Sequence, residues 1–139
     1  MEQKFWKIAM RPGKPLIFGK IGAMPFLGLP GNPVSAFVCA LLFLRPAIDR
    51  LSGLAGGPPP TGPARLATTL KANDAREDYL RATLTRDASG LVVTPFPIQD
   101  SGMLRTLAQA DALIQRPPHH PAQPEGHTVQ IIRLDGLLL

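Results

Sequence analysis

Leu27-Gly-Leu-Pro-Gly-Asn-Pro-Val-Ser35 is the most informative segment of this 139-residue chain. An apolar run from Phe26 to Leu29 enters the Pro-Gly-Asn-Pro turn, and a second apolar run leaves it at once, which predicts strand, tight turn and helix. Asn32 suits the N-cap, and Pro33 suits the first helical position, where no backbone N–H is needed. Such a turn directs unpaired N–H groups and the positive end of a helix dipole to one point, which favours a phosphate or another oxyanion.

The residues around this turn predict a few strands and one helix. Lys7–Arg11 and Leu16–Lys20 flank a Pro-Gly turn and are expected to form a hairpin, or two strands joined by a tight loop. The helix is expected from Pro33 to about Leu51. Pro46 lies within it and should kink or divide it, and Gly53 is a plausible C-cap.

A second domain is expected after a linker rich in proline and glycine, residues 55–63. Residues 64–139 contain short strands separated by turn signals, which is typical of a small β-barrel or sandwich. One short helix is expected at Ser101–Ala110, with Ser101 as its N-cap. The predicted strands are Arg65–Leu70, Asp78–Leu84, Gly90–Thr94, Ala112–Gln115 and Thr128–Leu134.

The first domain, residues 1–54, is too short to enclose its own apolar helix. A strand that enters such a turn usually belongs to a parallel sheet with further strands upstream. The predicted fold class is therefore a truncated α/β domain followed by a small β-barrel domain.

The charge is unevenly distributed along the chain. Residues 1–53 carry seven lysines and arginines against two acidic residues, whereas residues 54–139 carry eight of each. The whole excess of +5 therefore lies beside the turn and favours a small anionic ligand. A nucleic-acid surface is disfavoured, because a nucleic-acid binder would more often show a basic stripe interleaved with aromatic residues.

The remaining composition points to a cytoplasmic protein. Cys39 is the single cysteine and lies in the most apolar segment, which predicts a buried structural thiol. His119, His120 and His127 have no thiol or carboxylate cluster around them and are expected in loops, not at a metal. The apolar run Val34–Leu44 is too short for a bilayer span, which needs about 20 residues.

Three motifs resemble the C-terminal third of the molybdopterin molybdotransferase family, which includes MoeA and the gephyrin E domain. The first is Lys7-Ile-Ala-Met-Arg-Pro-Gly-Lys-Pro-Leu-Ile-Phe-Gly-Lys20, and the second is Leu27-Gly-Leu-Pro-Gly-Asn-Pro-Val-Ser-Ala36. The third combines Arg76-Glu-Asp-Tyr-Leu-Arg81 with Gln99-Asp-Ser-Gly-Met-Leu104. Their order and the Pro-rich junction fit the family, and the second motif is the most specific.

The resemblance implies a role in molybdenum cofactor biosynthesis. The family inserts molybdate into adenylylated molybdopterin with release of AMP, assisted by Mg²⁺, and its full-length members are homodimers. Residues 1–54 would be the end of a molybdopterin-binding domain, and residues 64–139 would be the small C-terminal barrel. The family's acidic metal and substrate residues lie upstream of the matching part. The resemblance therefore implies that this chain supplies binding elements and no metal ligand.

The resemblance also implies which residues contact the anionic substrates. Arg11 stands where the family often has lysine, so a planar guanidinium replaces a compact ammonium group and the contact geometry changes. Arg76 is a weaker candidate. The candidate binding residues are Lys7, Arg11, Lys14, Pro30, Gly31, Asn32, Pro33, Ser35, Arg81 and Ser101.

Other interpretations remain open for these residues. Lys7 and Lys14 could be solvated charges, Pro30 and Pro33 could only shape the turn, and Arg81 could form a weak surface pair with Asp78. At the level of function, the alternatives are an interaction or dimerisation module, as in the gephyrin branch, and an anion-binding fragment for a nucleotide.

Overall fold

The computed structural model describes residues 2–6, 10–12, 16–99 and 104–135. The chain separates into two compact units, Met1–Pro59 and Pro60–Leu139. The break lies within the segment rich in proline and glycine, where stiff residues form few contacts.

The first unit contains a three-stranded antiparallel sheet with the order β1-β3-β4. Its strands are β1 (Glu2–Trp6), β3 (Leu16–Ile21) and β4 (Met24–Gly28), and a short strand β2 (Met10–Arg11) lies between the first two in sequence. Of the two arrangements predicted around the Pro-Gly turn, the hairpin is wrong, because the strands on either side of β3 are β1 and β4. Within the described residues β4 runs antiparallel to β3, and the parallel pairing with strands upstream stays a prediction.

The helical segment after the turn is divided in three. Helix α1 (Pro33–Cys39) continues into a π-helical turn, Ala40–Leu44, and then into α2 (Arg45–Leu51). The wide turn precedes Pro46, because proline donates no hydrogen bond and its ring clashes with the carbonyl four residues earlier. The division that Pro46 predicts is confirmed.

The end of α2 also follows the prediction. Gly53 has a φ of 85° and donates its N–H to the carbonyl of Arg50, and Leu54 donates to the carbonyl of Asp49. These two bonds form a Schellman motif, which a left-handed glycine permits.

The second unit is a closed five-stranded barrel. Its strands are β5 (Gly62–Leu66), β6 (Glu77–Asp87), β7 (Gly90–Pro95), β8 (Ala112–Arg116) and β9 (Thr128–Arg133), with α3 (Leu104–Gln109) between β7 and β8. The pair β5–β7 is parallel and the other pairs are antiparallel. The predicted fold class, an α/β unit followed by a small barrel, is confirmed.

Each unit has its own apolar interior. In the first unit, α1 buries Val34, Val38 and Cys39. In the barrel, alternate residues of the strands point inward because side chains change face at every residue. The barrel core comprises Ala64, Leu66, Leu70, Ala82, Val93, Ala112, Ile114, Val129 and Ile131.

Candidate functional site

Asn32 caps helix α1 as the sequence predicts. Its backbone is extended, with φ −71° and ψ 128°, and its side-chain Oδ1 accepts hydrogen bonds from the N–H groups of Val34 and Ser35 at 3.1 and 3.3 Å. Its carbonyl accepts from the N–H of Ala36 at 2.8 Å. The cap therefore joins the turn rigidly to the first turn of the helix.

The same contacts correct the expectation of unpaired N–H groups at this turn. The amides of Val34 and Ser35 already donate to Asn32, and Pro33 has no amide hydrogen. An anion at this position would have to use the outer part of the turn. Gly31 is exposed there, and a Cβ added to it would meet no atom within 4 Å.

The other candidate residues of the turn differ in exposure. Pro30 is buried, and Ser35 has only 4% of its surface exposed, whereas Pro33 is exposed. Pro30 and Ser35 thus lie on the packed side of the turn. Gly31 and Pro33 lie on its solvent side, with the half-buried Asn32 between them in sequence.

The basic candidates of the first unit are described only in part. Arg11 ends β2, is half-buried and precedes a cis peptide bond to the buried Pro12. Lys7 and Lys14 lie outside the described residues. Their roles stay predictions from the sequence.

Arg81 lies in β6 of the barrel and is almost fully buried, with 3% of its surface exposed. The alternative of a weak surface pair with Asp78 is therefore wrong. The guanidinium donates hydrogen bonds to the carbonyl of Tyr79 at 2.8 Å and to the carbonyl of Gln99. Burial of this charge is offset by charge-assisted bonds to backbone oxygens.

Gln99 binds the backbone of Arg81 as well. Its Oε1 accepts from the Arg81 N–H at 2.8 Å, and its Nε2 donates to the Arg81 carbonyl at 2.9 Å. Ser101, the other candidate of this motif, lies outside the described residues, so its predicted capping of α3 is not described either. Arg76, the weaker candidate, forms an exposed ion pair with Asp74 at 3.6 Å.

Arg116 is a second buried arginine, which the sequence did not single out. Its guanidinium donates to the carbonyls of Lys71 and Pro121 and, through Nε, to Nδ1 of His120 at 3.3 Å. Burial lowers the pKa of Arg116, and the nearby Asp78 opposes that shift. Arg116 joins the two loops that follow β5 and β8, and only the folded chain brings these partners together.

The contact with Arg116 affects the protonation of His120. Burial and, second, the charge of Arg116 lower the pKa of His120. Because Nδ1 accepts a hydrogen bond from Arg116, the neutral imidazole with its proton on Nε2 is the form that fits. This places the histidine in a structural contact within a loop.

The described residues provide no obvious metal centre. Among residues 2–6, 10–12, 16–99 and 104–135, there is no group of three or more His, Cys, Asp or Glu that could hold an ion. These residues therefore form no cage that would hold Mg²⁺ by protein ligands alone. Burial raises the pKa of the Cys39 thiol to about 11, so Cys39 stays protonated near neutral pH.

The first unit also carries an apolar groove of about 390 Å³. Several of its residues are exposed, including Leu51 at 77% and Ile48 at 49%. Exposed apolar surface of this kind is unusual unless another surface covers it. The groove is lined by Leu16, Phe18, Pro25, Phe26, Leu27, Phe43, Leu44, Ala47, Ile48 and Leu51. No described helix is long and apolar enough to cross a membrane.

Each of the two units matches the sequence model of a known protein family. Residues 63–134 match the sequence model of the MoeA C-terminal region (domain IV), and residues 1–50 match that of a probable molybdopterin binding domain. The chain belongs to the MoeA family, as its motifs predict.

Individual relatives agree with this assignment. The chain is 34% identical over 136 residues to a molybdopterin molybdenumtransferase of Haemophilus influenzae, covering 96% of this chain and 34% of the relative. It is 37% identical over 114 residues to molybdopterin molybdenumtransferase 2 of Mycobacterium tuberculosis, covering 82% of this chain and 28% of the relative. The molybdopterin biosynthesis MoeA protein of Pyrococcus horikoshii superposes with a TM-score of 0.77 at 29% identity. The match covers 96% of this chain and 32% of that protein. The chain thus spans about a third of the length of these relatives.

Proposed function

We propose that this chain supplies substrate-binding elements for the insertion of molybdate into adenylylated molybdopterin, with release of AMP. In this proposal Gly31 and Asn32 form the exposed wall of the anion site in the first unit, and Arg11 contributes positive charge. Lys7 and Lys14 add charge in the same unit, and Arg81 and Ser101 act in the barrel. Pro30, Pro33 and Ser35 hold the turn in shape.

The main support for the proposal is the rigid turn, in which Gly31 is exposed. This turn lies in the unit that holds all of the chain's excess positive charge. The Asn32 cap fixes the turn before any ligand binds, so binding costs little ordering of the backbone. The lysines and arginines of this unit favour doubly charged molybdate and the phosphates of the nucleotide. The family membership supports this class of substrate.

The catalytic part of the reaction is assigned to no residue of this chain. The proposed reaction breaks a phosphoanhydride bond and is assisted by Mg²⁺, which would stabilise the charge on the leaving phosphate. The described residues hold and orient anions but form no carboxylate cluster for the metal. We therefore propose a binding role within a larger active site, in a cytoplasmic homodimer.

Calorimetric titration of the chain with molybdate, AMP and molybdopterin tests the proposal. We expect binding of molybdopterin and of molybdate, and weaker binding of both by the Lys7→Ala variant. Absence of heat with all three ligands would contradict the proposal. Binding of AMP alone would favour the nucleotide-binding alternative.

A second candidate function is a non-catalytic interaction or dimerisation module of the same family. The apolar groove of the first unit favours it, because Leu51 and Ile48 are highly exposed. Sedimentation velocity over a range of concentrations separates the two candidates. Self-association that the Leu51→Glu variant abolishes, together with no anion binding, would favour the module. A monomer at all concentrations would contradict it.

A further inference from the structure

Gln99 extends the hydrogen bonding of β6 beyond the end of β7. The last residue pair between these strands is Ala82 with Pro95, and the N–H of Phe96 then donates to the carbonyl of Arg81 at 3.0 Å. At the same residue the side chain of Gln99 takes the place of a strand, because it binds both the N–H and the carbonyl of Arg81. A primary amide can do this, since it presents a donor and an acceptor in one plane, like a peptide group.

The side chain of Gln99 also forms a hydrogen bond to the backbone of its own segment. Its Nε2 donates to the carbonyl of Phe96 at 2.9 Å, in addition to the carbonyl of Arg81. Residues 96–99 are therefore folded back against β6 by one amide group. Replacing that amide by an apolar group would leave partly buried backbone groups of Arg81 without these partners.

The backbone of Gln99 in turn orients the Arg81 side chain. One end of the guanidinium donates to the carbonyl of Tyr79, and another nitrogen donates to the carbonyl of Gln99. Tyr79 is part of the same strand as Arg81, whereas Gln99 lies 18 residues further along the chain and its side chain bonds to the backbone of Arg81. The amide of Gln99 thus helps to hold the carbonyl that the guanidinium contacts.

We propose that Gln99 is a positioning residue for the anion site of the barrel, and that it acts by fixing the orientation of Arg81. This inference rests on the proposed function, because it takes Arg81 as part of the substrate site. Gln99 itself contacts no substrate in this account. Gln99 is proposed to affect the affinity for the anion only by orienting Arg81.

Arginine side-chain NMR of the ¹⁵N-labelled chain tests the structural half of the inference without any ligand. We expect hindered rotation of the Arg81 guanidinium in the wild type, and faster rotation in Gln99→Met, which keeps the bond to Tyr79. The control is Gln109→Met, an exposed glutamine at the end of α3, which should leave the Arg81 signals unchanged. If Gln99→Met fails to fold, Gln99→Asn retains the amide but shortens its reach. Unchanged hindrance in the folded variant would overturn the inference.

A double-mutant cycle on anion affinity tests the functional half, with molybdate and AMP as the probes. We expect Gln99→Met to weaken binding about tenfold in the wild-type background, and less than about twofold in Arg81→Ala. A full tenfold loss in both backgrounds would overturn the inference, because Gln99 would then act independently of Arg81. A wild-type chain that binds neither anion would contradict the proposed function, and the NMR experiment would still decide whether Gln99 fixes Arg81.

Discussion

The side-chain oxygen of Asn32 accepts a hydrogen bond of 3.1 Å from the backbone N–H of Val34. This bond and its partner to Ser35 make Asn32 the N-cap of α1. We expect Asn32→Ala to lower the free energy of unfolding by about 1 kcal/mol, because two amides lose their acceptor. Urea denaturation measures the loss. Asn32→Asp keeps the acceptor and should retain the wild-type stability, so a similar loss in both variants would contradict the capping account.

Replacing Gly31 by alanine separates binding from stability. The φ of Gly31 lies outside the left-handed region, and an added Cβ meets no atom within 4 Å. We therefore expect Gly31→Ala to leave stability unchanged, or to raise it by up to about 1 kcal/mol. The methyl group should nevertheless weaken binding of molybdopterin, because it projects into the space assigned to the ligand.

The matched control is Gly62→Ala in the barrel, where a Cβ also meets no atom within 4 Å. Its affinity for molybdopterin should equal that of the wild type. An equal affinity of Gly31→Ala and Gly62→Ala in calorimetry would remove Gly31 from the binding site.

The buried Arg116 should contribute more to stability than an exposed arginine. Arg116→Met removes donors to the carbonyls of Lys71 and Pro121, which are left with fewer partners. We expect a loss of about 2–4 kcal/mol in the free energy of unfolding. Arg133→Met is the control, because Arg133 pairs with Asp135 at the surface and should change the urea midpoint little. Equal midpoints of the two variants would refute the structural role of Arg116.

Stability should also fall with pH through the titration of His120. Its pKa is lowered in the folded chain, first by burial and then by the charge of Arg116, so the unfolded chain binds the proton more readily. The stability from neutral His120 is therefore present above the unfolded pKa of about 6.5 and is lost as the pH falls through the lower folded value. Urea midpoints measured from about pH 7.5 down to about pH 5 should show this decline.

The variant His120→Asn should flatten that decline, since an asparagine oxygen can still accept from Arg116 and does not titrate in this range. An unchanged profile in His120→Asn would assign the pH dependence to another group.

Local features of the fold could be predicted from the sequence because their causes are local. Asn32 caps the nearest amides, Pro46 disturbs the adjacent turn, and Gly53 supplies a left-handed residue at the helix end. Short strand-like segments separated by turn signals likewise predict the barrel strands. The pairing of β3 with β1 and β4 could not be predicted, since several partners satisfy the same short apolar pattern.

The sequence indicated which residues to consider for the candidate site, but not which of them contact each other. The resemblance marked Arg81 and the motif that begins at Gln99, yet the sequence gives no sign that these residues, 18 positions apart, bind each other. Arg116 was missed for the same reason, because its acceptors lie in two separate loops. A charged residue at the end of a strand that begins with three apolar residues, as in Ala112–Arg116, was the available signal.

The most direct test of the account is the affinity of the Asn32→Asp variant for molybdopterin, measured by calorimetry beside the wild type. Aspartate caps the helix as well as asparagine does, so the fold is retained while a negative charge is added at the proposed anion site. We expect binding at least about tenfold weaker at low salt, with an unchanged urea midpoint. Equal affinity of the two proteins would contradict the assignment of this turn to the anionic substrate.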